Sequence, residues 1–505
     1  MELFTERHAS KISGTLSCFD RIIVTGTLPG LCYAQGMTAF LGQRGIRVFD
    51  YPRWAEPLRE EIRARAEELA RENSLEIEFV RKPNFRKEER VRQVLGGRGD
   101  APGLVCILSA MESCPSFKPW HDKRTHQTFL KPDSGKCLHY YFYFIVPELG
   151  LCYLRVPTWA PFRLQFYCNG HSALAAALAR RKIPFRMLDN AFVEIGDWQK
   201  AQALADSFDP ERLHKILDRL AATYCPVVRH FPVTYHWSLM QVEYATDTVF
   251  RRQSDLAPIY EELVRTAIHA VKADNVATFL GRRLTGHYQG EVGNDFHTRI
   301  EGTRIKHHMG QVSIKMYDKH ALVLRIEVTA NDVSFFKHHR KVEHRDGSWQ
   351  MKDAPLKKSI YSLPVLVELM ATANRRYLEF ISAIDDPTAS LRDLDKLSKP
   401  AADTHRTYRG FNLFYGEDLD VLRAINRGEF NIGGFRNHDL RRHLPAHTPH
   451  QASRILKRLR QHGLIKKIGK VYKYYLTVLG RKVSALALKL REMFVIPSLR
   501  GTLLA

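Results

Sequence analysis

"VSIKMYDKHALVLRIEVT" occupies Val312–Thr329. Apolar and polar residues alternate through both halves, which predicts two strands joined by a tight turn. The polar set is unusual for a plain hairpin: Lys315, Tyr317, Asp318, Lys319, Arg325 and Glu327. Side chains alternate across a strand, so Lys315, Tyr317 and Lys319 fall on one face and Asp318 on the other. Two readings compete. In one, "KMYDK" is an ordinary turn and Arg325 pairs with Glu327 on an outer sheet surface. In the other, the hairpin is the floor of a site that handles phosphates.

The upstream stretch 276–310 bears on this choice. Six glycines interrupt it, and Arg282, Arg283, Arg299, Arg304, Lys306, His307 and His308 make it basic. Glycine lets backbone approach phosphates closely, and cations neutralise them. With Lys315, Lys319 and Arg325, these residues form the expected phosphate-contacting set. Residues 276–329 therefore read as strand, basic loop, strand, "YDK" turn and "LRIE" strand. "WSLMQVEYATD" (237–247) reads as a further strand that neighbours the hairpin. Hard divalent cations prefer several oxygens, so Glu243 with Glu327 is the expected metal pair, and Asp318 a further candidate.

The order "EGTR" (301–304), "IKMYDK" (314–319) and "LRIEV" (324–328) resembles the second half of the nuclease domain of plasmid rolling-circle replication initiators. Related pairings occur in replication proteins of filamentous phages. The resemblance covers about thirty residues. It implies a tyrosine that attacks a DNA phosphodiester while Mg²⁺ or Mn²⁺ polarises it, with cations holding the developing charge. Tyr317 would then be the nucleophile with Tyr244 its rival, Glu327 a metal ligand, and Lys315, Lys319 and Arg325 phosphate contacts. The histidine–hydrophobe–histidine pair of the other large initiator class is not found.

The totals agree with a polyanionic partner. The chain has 505 residues and a net charge of +23, with 77 Lys and Arg against 54 Asp and Glu. Basic patches attract nucleic acid first. Hydrophobic residues make up 44%, enough for ordinary packed cores. Eight cysteines are scattered without a C-x-x-C pair, which argues against a zinc ribbon and for reduced, buried thiols. No secretory pattern opens the chain and no run is long enough to span a membrane, so the expectation is a cytoplasmic protein with no membrane partner. No phosphate-binding loop or dinucleotide fingerprint is present.

Segment by segment, the chain reads as a multidomain α+β or α/β protein. Residues 1–111 form an N-terminal α/β domain, 112–225 an aromatic-rich α+β domain, and 226–384 a central basic α+β domain. Residues 385–410 read as a linker and 411–505 as a C-terminal domain. The stretch 112–136 is polar, carries Pro115, Pro119 and Pro132, and reads as a long loop. Asp20 and Asp50 lie near predicted strand ends, where carboxylates suit either loop capping or a nuclease-type acidic cluster. Asn169, His171 and Ser172 open a helix and suit capping. "HYYFYF" (139–144) offers rings for core packing or for base stacking.

The C-terminal stretch has its own signature. "EDLDVLRAINRG" (417–428), "RNHDLRRHL" (436–444) and "TPHQASRILKRLRQHG" (448–463) read as three helices, the third capped by Thr448 with Pro449 next and closed by Gly463. "LIKKIGKVYKYYLT" (464–477) reads as two short strands around a basic tip. Residues 405–505 hold 20 Lys and Arg against 6 Asp and Glu. This order resembles winged helix-turn-helix regulators of the MarR-like type. The resemblance implies that the third helix enters the major groove and that the hairpin reaches a neighbouring groove or backbone. Gln451, Ser453, Arg454, Lys457 and Arg458 would be helix contacts, and Lys466, Lys467, Lys470 and Lys473 hairpin contacts.

The function expected from these readings is nucleic-acid binding of mobile-element or replication type, with metal-assisted strand nicking by tyrosine as its sharper form. The alternatives are a winged-helix transcription regulator, usually dimeric, and a non-catalytic partner of a structured RNA.

Overall fold

Val312–Lys319 and Val323–Ala330 form the expected antiparallel pair. The turn falls just after "YDK", at residues 320–322, with His320 and Ala321 both in the left-handed region. A computed structural model of the chain describes residues 3–490 except 83, 285–287, 289, 300–301, 345, 384–394, 405 and 469–471. It divides into two units, Met1–Ser382 and Ala383–Ala505.

The first thirteen strands in chain order are β1 (Ile12–Thr27), β2 (Ile77–Phe79), β3 (Gly103–Asp122), β4 (Gln127–Val146), β5 (Gly150–Pro157), β6 (Leu164–Cys168), β7 (Phe185–Leu188), β8 (Ala191–Ile195), β9 (His236–Phe250), β10 (Val292–Arg299), β11 (Gly302–Met309), β12 (Val312–Lys319) and β13 (Val323–Ala330). All but β7 and β8 join one eleven-stranded sheet, in the order β10-β11-β12-β13-β9-β1-β6-β5-β4-β3-β2. Among the described residues of this sheet, only the β2–β3 pair is parallel. The architecture is mixed α/β, as expected. The three separate domains expected over residues 1–384 are not seen, because one sheet runs through all of them.

Strand alternation divides this sheet into two chemically different faces. Ile314, Met316, Ile326, Val328, Val242, Tyr244, Ile22, Phe166, Leu154 and Phe142 all point into one apolar core. Helices Tyr51–Glu72, Pro210–Tyr224, Gln253–Ala270 and Leu363–Ser382 contribute their apolar stripes to the same core. The opposite face carries Lys315, Tyr317, Arg325, Glu327, Glu243, Asp247, Arg21, Tyr167 and Tyr153. The register pairs these residues strand by strand: Lys315 with Glu327, Tyr317 with Arg325, Arg21 with Glu243, and Tyr153 with Tyr167.

Two segments depart from the sequence reading. Residues 112–136 are the distal half of a hairpin of two 20-residue strands, not a loop. All three prolines fall at pairs of one parity, Pro115–Ser134, Phe117–Pro132 and Pro119–Leu130. Beyond the sheet this ribbon has two free edges, so a residue without an N–H is accommodated where its nitrogen points outward. The stretch 276–284 supplies the end of a helix, Ala273–Phe279, rather than a strand.

In the second unit, helices Gly416–Ile425, Gly428–Gly433, Asn437–Arg442 and Pro449–Gln461 precede the antiparallel strands Ile465–Ile468 and Lys473–Leu476 and a last helix, Val478–Leu490. Its own core joins Leu422, Ile425, Phe435, Leu440, Leu456, Leu459 and Leu476. Thr448 and Gln451 form the capping box at the Pro449 helix, each side chain bonding the other's backbone N–H. The expected linker 385–410 lies partly outside the described residues. Its described part belongs to the second unit: Leu397 is buried in that core and Ala401–Ala402 pairs with Thr407–Tyr408.

Candidate functional site

The polar face of the sheet gathers its charges where β12, β13, β9 and β1 lie side by side. Glu327 on β13 and Glu243 on β9 are both buried. A third carboxylate, Asp20, joins them from β1. The register of β1 against β9 shifts between Phe19 and Arg21. Phe19 pairs with Tyr244 on the core face and Arg21 with Glu243 on the polar face, so Asp20 is the extra residue of a β-bulge. The bulge lets both Asp20 and Arg21 face the site. Asp20, Glu243 and Glu327 each offer a carboxylate oxygen within 4.8 Å of the others, close enough to share a cation.

Cations and donors surround this triad. The Lys315 ammonium lies 2.9 Å from Glu327 Oε1 and 3.6 Å from Glu243 Oε1. Arg21 lies 3.6 Å from Glu243 Oε2. The Tyr317 hydroxyl donates to Glu327 Oε2 at 2.7 Å. Burial, and then the Glu327 charge, raise the Tyr317 phenol well above its ordinary value, so the hydroxyl keeps its proton as a donor. Burial and the Glu327 charge also raise the Glu243 carboxyl.

Beside the triad lies a fully buried ion cluster. Arg325 holds Asp247 through Nε at 2.6 Å and Nη2 at 2.7 Å. Its Nη2 also lies 3.0 Å from His171 Nε2. His171 Nδ1 lies 3.1 Å from Asp20 Oδ1, so the imidazole bridges the Arg325–Asp247 pair and the triad. Burial would raise the Asp20 carboxyl, but the His171 hydrogen bond and the Arg325 and Lys319 charges hold it below the usual range. Asn190 and Asn169 also donate to Asp20 Oδ1, at 2.9 and 3.4 Å. Asp20 is thus held from three sides, and Asn169 caps its helix as expected through bonds to His171 and Ser172 backbone N–H groups.

The structure sorts the sequence candidates by strand parity. Glu243, Glu327, Lys315 and Tyr317 come together. Arg304 and Lys306 on β11 continue their face, since Lys306 pairs with Lys315 and Ile305 with Met316. His308 shares that face; Arg304 lies 3.8 Å from Asp295. His307 takes the other face. It is buried between Asn294 and Tyr377, at 2.6 and 3.1 Å, and burial pushes it down to about 4, so it is a core histidine and no phosphate contact. Arg325 is likewise a buried ion-pair partner rather than a surface contact. Tyr244 packs edge-on against Phe19 in the core, on the face away from Glu243, which removes it as a nucleophile. Asp318 pairs with Leu324 on the core-side parity and stands apart from the triad. Asp50 is held by Arg47 at 2.8 Å, well outside the cluster. Lys319 bonds the Asn190 side chain and lies 3.8 Å from Asp189. Arg282 covers the Phe335 ring at 4.8 Å, and Arg283 is exposed. Arg299 ends β10, but its side chain lies outside the described residues.

In the second unit, Arg454 and Lys466 are exposed. Ser453 bonds Asn437 at 2.8 Å, Gln451 is spent on the capping box, and Lys457 lies 2.8 Å from Asp403. Lys467 sits over the Tyr472 ring at 3.6 Å and Lys473 near Tyr475 at 5.8 Å. Lys470 lies outside the described residues. Arg458 is not a free contact. It holds the buried Asp418 with two nitrogens, at 2.7 and 2.9 Å, and the carbonyls of Arg409 and Gly410.

Sequence reasoning placed Asp20 only as one of two isolated aspartates. No local signal marks a bulge inside a 16-residue strand, and its two partners in the triad lie more than 200 residues away.

Comparison with known proteins finds no matching family model, no matching curated protein and no matching solved structure. No helix among the described residues is long and apolar enough to cross a membrane.

Proposed function

We propose that this chain is a nucleic-acid-binding protein of replication or mobile-element type, and that its sheet carries a metal-assisted site for cleaving a phosphodiester through Tyr317. The observation that carries this reading is the Tyr317 hydroxyl resting on Glu327, itself one corner of a buried carboxylate triad. Three carboxylates form a hard-oxygen donor set suited to Mg²⁺ or Mn²⁺, and the Lys315 ammonium already lies against two of them as a resident cation. When bound, the ion would polarise a phosphoryl oxygen.

The residues of the chain divide the remaining work. The Tyr317 oxygen forms the bond to phosphorus and its proton passes to Glu327 Oε2. The bond from phosphorus to the departing sugar oxygen breaks, and that oxygen takes up a proton from water, leaving a phosphotyrosine, a free hydroxyl and a hydroxide that the proton on Glu327 neutralises. Lys315 and Arg21 stand beside the triad to hold the charge that develops on the phosphoryl oxygens. Arg304, Lys306 and His308 extend the same face and would track the phosphate backbone.

The second unit fits a winged-helix reader, with Pro449–Gln461 as the groove helix and the Ile465–Leu476 hairpin as the wing. Arg454 and Lys466 would make its phosphate or base contacts. A transcription regulator is the second reading, and the element order of this unit is what favours it.

The test is a covalent-adduct assay. The full chain is incubated with labelled single-stranded DNA pools and Mn²⁺, then run under denaturing conditions. A shifted protein–DNA species is expected with the native chain and with Tyr244→Phe, and none with Tyr317→Phe. No adduct from any pool, with tight duplex binding retained, would favour the regulator.

A further inference from the structure

Tyrosines on the polar face line up toward the triad. Tyr143, Tyr153 and Tyr167 stand on the adjacent strands β4, β5 and β6. Tyr153 and Tyr167 stack, with centroids 5.1 Å apart and planes 11° from parallel. Tyr143 lies on the other side of Tyr153 at 5.2 Å. The next strand is β1, where Ile23 pairs with Tyr167 and Arg21, the next residue along on the same face, reaches the ring on the diagonal. The Arg21 guanidinium is 6.0 Å from the Tyr167 centroid, at the outer limit of a cation–π contact. On its far side Arg21 meets Glu243 of the triad. A cavity of about 370 Å³ opens here, lined by Arg21, Tyr153, Tyr167, Asn169 and Asn190 and also by Asp20. That volume is within the range of about 300–1,000 Å³ found for small-molecule sites. Arg92 and Asp189 face each other at its edge, 3.9 Å apart.

We infer that this cavity holds one nucleoside of the bound strand, its base stacked on Tyr167 and its phosphate directed to the triad. This rests on the phosphodiester-cleaving reading above and extends it to the nucleotide beside the reacting phosphate. Stacked bases lie about 3.4 Å apart, so a base between Tyr167 and Arg21 needs about 7 Å. The observed 6.0 Å leaves a small outward movement for Arg21, whose side chain is 40% exposed. The filled array would run Tyr143, Tyr153, Tyr167, base, guanidinium. The amides of Asn169 and Asn190 stand by the base edge, and Arg21 links the base to the carboxylates.

The experiment titrates the full chain with the four deoxynucleoside 5′-monophosphates in EDTA, by calorimetry and ligand-observed NMR. Removing divalent metal separates base binding from cleavage. At least one nucleotide is expected to bind, with 2-deoxyribose 5-phosphate failing to displace it. Tyr167→Ala is expected to weaken binding at least fivefold, while Tyr167→Phe stays within twofold. The inference is overturned if no nucleotide binds the native chain at 10 mM concentration, roughly the upper end of useful titration. It is equally overturned if the sugar phosphate competes as well as the nucleotide, a comparison needing no variant. Nucleotide binding without any DNA adduct would keep this pocket and remove the cleavage reading. An adduct without nucleotide binding would do the reverse.

Discussion

Tyr317 reaches Glu327 on the diagonal. The β12–β13 register sets Tyr317 opposite Arg325 and Lys315 opposite Glu327, yet the Tyr317 hydroxyl closes to 2.7 Å from Glu327 Oε2 while Lys315 holds Oε1. One buried carboxylate therefore serves a phenol and an ammonium at once. Tyr317→Phe removes one of these donors. It should lower the stability of the chain by about 1–3 kcal/mol, the usual consequence of leaving a buried acceptor unpaired. Urea unfolding monitored by circular dichroism checks this, and an unchanged midpoint would mean that water replaces the hydroxyl.

The triad predicts a divalent-ion site. Mn²⁺ should raise the melting temperature of the native chain in a concentration-dependent way, because a ligand that binds only the folded state stabilises it. Glu243→Gln or Asp20→Asn should weaken Mn²⁺ binding about tenfold or more, read directly by electron paramagnetic resonance. Equal Mn²⁺ binding by all three chains would place the ion elsewhere and leave Lys315 as the permanent partner of these carboxylates.

Acid stability should carry two separate limbs. Burial would raise the Asp247 carboxyl, but the Arg325 charge and hydrogen bonds bring it from 3.8 down to about 2. A lowered carboxylate stabilises the fold above its unfolded value and loses that contribution as pH falls through the folded one. The Asp247 limb therefore lies between about pH 4 and 2, and a shift of this size corresponds to about 2–3 kcal/mol. His307 gives the earlier limb. Burial lowers it from 6.5 to about 4, so the unfolded chain takes up its proton first and stability falls from pH 6.5 toward 4. His139, lowered to about 4 chiefly by burial, acts in the same direction. His307→Gln should shrink the first limb to the His139 contribution and leave the second.

Arg325 and Asp247 form a fully buried pair, unlike the exposed pairs of the surface helices. Surface pairs contribute about 0–1 kcal/mol, but removing one partner of a buried pair typically costs about 3–5 kcal/mol. Arg325→Ala should destabilise the sheet unit by that order. Arg325→Met with Asp247→Leu should recover much of the loss in chemical denaturation.

Two arginines on one helix of the second unit should behave oppositely. Arg454→Ala should weaken duplex binding across sequences and reduce the salt slope by about one, with folding unchanged. Arg458→Ala should expose the buried Asp418 charge and melt the unit, because its guanidinium is already occupied. Salt-dependent binding isotherms alongside thermal unfolding of the full chain separate the two effects.

What the sequence by itself determined is local. The alternation in 312–329 specified the hairpin and which of its residues share a face, since side-chain direction on a strand has a period of two. The same parity brings Glu243 beside Glu327 once β9 and β13 pair. Thr448, Pro449 and Gly463 marked the ends of their helix through capping chemistry. Tertiary structure decided everything that depends on a partner strand. It turned the proline-bearing 112–136 into a ribbon, because the free edges of a two-stranded extension tolerate missing donors. It sent His307 and Tyr244 into the core and withdrew Arg325 into an ion pair. It also brought Asp20 to the triad through a bulge. A bulge is a mismatch between two strands, here more than 200 residues apart in the chain, and neither strand contains it alone.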